Sequence, residues 1–88
     1  MKVLYEKSFL RDIKKVKKQI LLNNLANTIE DIKSADEIFS LANIKKLKGH
    51  PAAYRIKIGN FRLGLFYENN TAIITRFLNR KDIYKFFP

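Results

Sequence analysis

Eighty-eight residues with 47% hydrophobic and 12% aromatic side chains make one small domain, residues 1–88, with apolar material for a core and too little chain for two. Eighteen Lys and Arg against eight acids leave a formal charge of +10, which draws polyanions or an acidic protein partner and argues against a small neutral ligand. With no cysteine, one histidine (His50) and scattered carboxylates, the chain offers no disulfide framework, no thiol nucleophile and no metal-ligand set, so neither metal nor cofactor is expected.

Val3, Leu4 and Tyr5 form a short β-like run. Ser8 follows as a candidate N-cap for a first amphipathic helix whose apolar positions are Phe9, Leu10, Ile13, Val16 and Ile20. Leu22, Leu25, Ile29 and Ile32 recur at steps of three and four and predict a second helix, with the bend of the helical hairpin near Lys17 to Gln19. Residues 36–50 read as loop with a short turn of helix, Ile38, Phe39 and Leu41 tucking under the fold and Lys45, Lys46 and Lys48 forming a basic connector. Tyr54–Ile58 and Phe61–Tyr67 are strands joined by the turn pair Gly59-Asn60, and Asn69-Asn70 leads into a third strand over 71–77. A short basic and aromatic tail ends the chain. The expected fold is α+β: an N-terminal strand and a two-helix hairpin packed on a mainly antiparallel four-stranded sheet. No apolar run approaches the ~20 residues of a membrane span, so a cytoplasmic protein without membrane contact is expected.

Charge separates along the chain. Residues 1–40 hold eight basic and six acidic side chains, residues 41–88 ten basic and two acidic, which places the functional surface in the second half. With Gly59-Asn60 at the turn, Ile58 faces Phe61, Lys57 faces Arg62, Ile56 faces Leu63, Arg55 faces Gly64 and Tyr54 faces Leu65. One face is then apolar, and the other carries Arg55, Lys57 and Arg62. Like charges set directly across a hairpin disfavour the pair by a few tenths to ~1 kcal/mol, a cost that a bound polyanion relieves. Continuing the same register places Ile73, Thr75 and Phe77 on the basic face and Arg76 on the core side; Phe77 and Phe66 are either a stacking platform for bases or half-buried under the C-terminal tail. Lys45, Lys46 and Lys48 are candidate phosphate contacts.

Leu47-Lys48-Gly49, the run from Tyr54-Arg55-Ile56-Lys57-Ile58 through Gly59-Asn60-Phe61-Arg62-Leu63, and the terminal Asn79-Arg80-Lys81-Asp82-Ile83-Tyr84-Lys85 together resemble the RelE/ParE superfamily of toxins from toxin–antitoxin pairs. In the RelE branch, the resemblance implies a metal-independent endoribonuclease that cleaves messenger RNA on the ribosome and is held inactive by an antitoxin protein. By motif match the catalytic set is Arg55, Lys57, Arg62, Arg80 and Tyr84; Lys45, Lys46, Lys48, Phe77 and Lys81 are the expected RNA contacts. Arg62 and Arg55 are assigned to transition-state charge, Arg80 to the general acid or a further clamp, and Lys57 or Tyr84 to the base. Asn79 stands where many relatives have histidine, and no catalytic glutamate is matched. The sequence stops at Pro88, so a long C-terminal helix is not expected and antitoxin contacts fall elsewhere. The ParE branch implies a different activity on the same fold, inhibition of DNA gyrase without RNA cleavage. A third reading is a non-toxic relative that only binds.

Overall fold

The computed structural model describes residues 1–88 as a five-stranded sheet with helices on both faces. In chain order the elements are β1 (Lys2–Tyr5), α1 (Lys7–Lys14), α2 (Gln19–Ser34), a short 3₁₀ turn (Ile38–Ser40), β2 (Ile44–Lys46), β3 (Ala53–Ile58), β4 (Phe61–Glu68), β5 (Thr71–Asn79) and α3 (Arg80–Phe86). The strand order is β1-β5-β4-β3-β2, with β1 parallel to β5 and every other pair antiparallel. The α+β class is as expected, but the sheet has one strand more than the sequence pattern announces. The addition is β2, inside the basic connector, where Ile44 pairs with Ile56 and Lys45 with Arg55. Three residues, two of them lysines, cannot display a period-two apolar pattern, and charged short strands are how sheets blunt their edges.

The β3–β4 hairpin takes the expected register pair for pair, from Ile58–Phe61 to Tyr54–Leu65. Gly59 adopts φ 57° at its turn, and Asn69 and Asn70 take φ 51° and 56°, the two left-handed residues that a type I′ connection requires. Tyr54, Ile56, Ile58, Leu63 and Leu65 are buried on the face covered by α1 and α2, together with Phe9, Leu25, Ile32, Ile38, Ala72, Ile74 and Phe77. A smaller cluster of Ala53, Ile83 and Phe87, backed by Leu47, Phe66 and Leu78, lies under α3 on the opposite face.

Three expectations change. Ser8 is not the cap of α1: Glu6 holds that position, because its N–H is already bonded to Ile74 O at the end of the β1 pairing and the helix starts from there. Ile20 belongs to α2, across a bend at residues 15–18, and is exposed, as are Leu10 and Phe39. Most consequentially, the β4–β5 ladder slips by one residue between Gly64 and Leu65: Leu65 pairs with Ile74 but Gly64 pairs with Arg76, leaving Thr75 as the extra residue of a bulge. Beyond it the faces exchange. Phe77 faces Leu63 and is 1% exposed, its ring 5.0 Å from that of Phe61, so it is a core residue and not a surface platform. An unbulged strand would put Arg76 opposite Leu63 in the core, and burying a cation there is far costlier than burying phenylalanine.

Helix α1 closes the edge of β5 that β1 leaves open after Tyr5. Ser8 Oγ donates to Thr75 O at 2.6 Å, and the Asp12 carboxylate accepts from Phe77 N at 2.9 Å. Four residues apart, these side chains share a helix face and supply one donor and one acceptor to a bulged backbone. Asp12 also accepts from Arg76 Nε at 2.8 Å and Nη2 at 3.0 Å, while the Arg76 guanidinium carbon lies 5.8 Å from the Phe86 ring centroid. Hydrogen bonding to Asp12 pushes Arg76 above the ordinary arginine range, against the opposing effect of burial. Arg76 thus ties α1 to α3 around the sheet edge.

Candidate nucleic-acid interface

On the α3 face, the register brings cations from three adjacent strands together. Lys45 of β2 lies opposite Arg55 of β3, and Lys57 of β3 lies opposite Arg62 of β4. Tyr84 joins them from α3, and with Asn43 and Ile44 these residues line a cavity of about 340 Å³. The Arg55 guanidinium carbon sits 4.6 Å from the Tyr84 ring centroid, a cation–π contact that orients both groups. Arg62 Nη1 donates to Gly59 O at 3.1 Å and Phe61 O at 2.9 Å, so the hairpin turn holds its guanidinium. No carboxylate lines this cavity, and the two salt bridges of the structure, Lys33–Glu30 and Arg76–Asp12, involve none of its cations. Four positive groups without counter-charges concentrate positive potential on this face.

Helix α3 reaches this position because Gly64 has no side chain. A Cβ there would lie 2.7 Å from two Phe87 ring atoms, so the glycine opens space for Phe87, while Ile83 packs beside Ala53. That anchoring sets Tyr84, 67% exposed, over Arg55. Asn79 is the N-cap of α3: its Oδ1 accepts from Lys81 N at 2.9 Å and Asp82 N at 3.0 Å, and its Nδ2 donates to Asp82 Oδ2 at 3.0 Å.

The other expected site residues lie apart. Arg80 and Lys81 are exposed on the first turn of α3 and outside the cavity. Lys46 sits on the Tyr54 side of its strand pair and, with Lys48 and His50, lines a separate depression of about 370 Å³. His50 Nδ1 accepts from Ala52 N at 3.3 Å, a turn contact. The sequence reading missed Asn43 entirely. Its one signal is that asparagine tolerates the left-handed backbone, and here φ is 62° just before β2.

Toxin RelE3 of Methanocaldococcus jannaschii is 39% identical over 89 residues, spanning 100% of both chains. The chain belongs to the RelE family of toxins. The toxin in a crystal structure of a RelB–RelE antitoxin–toxin complex from Methanococcus jannaschii superposes with a TM-score of 0.82 at 34% identity, over 97% of this chain and 99% of that one. The RelE–RelB complex of Pyrococcus horikoshii OT3 shares the fold, with a TM-score of 0.71 at 13% identity over 90% of this chain and 93% of that one. No family model matches the sequence. No helix of this RelE-family toxin is long and apolar enough to cross a membrane.

Proposed function

We propose that this RelE-family toxin is a cytoplasmic endoribonuclease that cleaves messenger RNA on the ribosome and is restrained by a cognate antitoxin. The observation that carries the reading is the convergence of Lys45, Arg55, Lys57, Arg62 and Tyr84 on one cavity without a carboxylate. In the proposed reaction the 2′-oxygen attacks the adjacent phosphorus and the bond to the 5′-oxygen breaks, leaving a 2′,3′-cyclic phosphate and a free 5′-hydroxyl. Arg55 and Arg62 hold the phosphate oxygens as negative charge builds, a role suited to guanidinium forks already held by Tyr84 and by the hairpin turn. Lys57, after giving one proton to solvent, takes the 2′ proton as the neutral amine, and the Tyr84 phenol returns one to the leaving oxygen. Lys45 sits beside Arg55 as a further phosphate contact, and Arg80 and Lys81 serve flanking phosphates from outside the cavity.

For the antitoxin, support comes from a second groove of about 360 Å³ between the α1–α2 bend and the hairpin turn. Lys15, Lys17 and Lys18 surround Val16, Ile20, Leu21 and Phe61 there, a basic rim and apolar floor suited to an acidic amphipathic segment. The test is induction in cells lacking the antitoxin, with RNA 5′ ends mapped for wild type and for Arg62→Ala and Arg55→Ala variants shown to fold. New 5′ ends inside translated messages, lost in both variants, are the expected result. Intact messages with growth arrest and DNA damage would replace this reading with gyrase inhibition.

A further inference from the structure

Of the seven residues lining the cationic cavity, four are basic, one is the tyrosine and one is Ile44. Lysine and arginine contacts to phosphate fix a strand in place but carry no sequence information, and an aromatic ring stacks on any base. The seventh, Asn43, presents a neutral donor and acceptor side by side, the pattern complementary to the N6 amino group and N7 of adenine. Its backbone is held: φ is 62°, and its carbonyl accepts from Lys57 N at 3.1 Å, tying it to the strand position of a proposed proton-transfer group. Its side-chain amide takes part in none of the chain's hydrogen bonds, and the residue is exposed. A base-reading group whose backbone is held and whose amide is unspent within the chain bonds a base without first breaking an internal contact.

We infer that Asn43 is a specificity-determining residue that selects an adenine next to the scissile phosphate, an inference that rests on the ribonuclease reading above. Unstacked single-stranded bases expose the edges that such an amide can read. The bland role, an asparagine kept only for its left-handed backbone, is separable by substitution, because glycine adopts the same φ without the amide.

The experiment maps 5′ ends after induction of wild type, Asn43→Gly and Asn43→Asp, with melting temperatures recorded for each. Wild type should cut with adenine enriched at one fixed position beside the cleaved bond. Asn43→Gly should fold, keep cutting translated messages and lose about tenfold of that enrichment, the order expected for one paired amide–base contact. Asn43→Asp, an acceptor without the donor, should also lose the adenine preference, because a carboxylate has no proton to give N7. Cleavage by wild type without adenine enrichment, or an unchanged preference in a cutting Asn43→Gly variant, overturns the inference and leaves the ribonuclease reading intact. No cleavage by wild type overturns that reading, and the inference with it.

Discussion

Replacing Asp12 with alanine should be among the most damaging single changes in the helices, although four of the eight residues of α1 are exposed. The carboxylate is 6% exposed and accepts three hydrogen bonds, two from the Arg76 guanidinium and one from Phe77 N. Alanine leaves the Phe77 N–H buried without an acceptor, which costs about 1–3 kcal/mol. Arg76 keeps 24% of its side chain exposed, so water recovers part of its loss, and about 1 kcal/mol more remains. The total is about 3 kcal/mol, equivalent in a chain of this size to a fall of roughly 12–24 °C in melting temperature.

Urea unfolding followed by circular dichroism measures this directly. Asp12→Asn, which keeps an oxygen for Phe77 N but loses the charge, should cost about half as much. An Asp12→Ala, Arg76→Ala double mutant should show a coupling of at least ~1 kcal/mol. Arg76 is raised in the folded chain, so its contribution is complete below the ordinary arginine range and is lost only above it. The Arg76 effect should therefore be flat between about pH 6 and 9. A loss under ~1 kcal/mol for Asp12→Ala would refute the claim that α1 supplies the missing edge of β5.

Gly64→Ala pushes a Cβ to 2.7 Å from the Phe87 ring; it should lower stability by about 1–3 kcal/mol and reduce cleavage by displacing Tyr84, read by melting and 5′-end mapping together. Phe77→Ala should cost about 3–5 kcal/mol in urea titration, as expected of a core residue; a neutral result would return Phe77 to the surface. Binding of a single-stranded RNA should weaken with salt, and Lys45→Ala, which removes a phosphate contact, should lower the slope of log K against log salt by about 0.7. Lys33→Ala, on α2 and paired with Glu30, should leave that slope unchanged.

The β3–β4 hairpin was legible because everything that fixes it is local: a turn pair, strict alternation and flanking residues within reach of one another. Arg55, Lys57 and Arg62 follow from its register alone, whereas Tyr84 is legible only through the terminal motif. Lys45 joins them through β2, whose pairing is decided by the strand it meets rather than by its own three residues. The bulge at Thr75 left no mark in its own segment. It is satisfied by Ser8, 67 residues from Thr75, and by Asp12, 65 residues from Phe77, and a one-residue slip exchanges every side chain beyond it between faces. The signal available was indirect: Ser8 and Asp12 are polar residues four apart, beside Phe9 and Ile13 on the face that α1 buries.

That bulge links the far side of the sheet to the cavity. Strand β5 runs into α3 without a connector, so the facing of Leu78 and Asn79 sets the direction in which α3 departs. With the bulge, Leu78 pairs with Arg62 and lies in the small cluster under α3, and Asn79 pairs with Phe61 and caps the helix. Only from that start do Ile83 and Phe87 settle against Ala53 and over Gly64, and only then does Tyr84 meet Arg55. Without the bulge, Phe77 would face Arg62 and α3 would begin one residue out of phase. The Asp12→Asn variant, weakened but folded, should therefore lose cleavage out of proportion to its stability, although Asp12 touches no residue of the cavity. Cleavage that falls only as far as the folded fraction falls would show that α3 holds its place without help from α1.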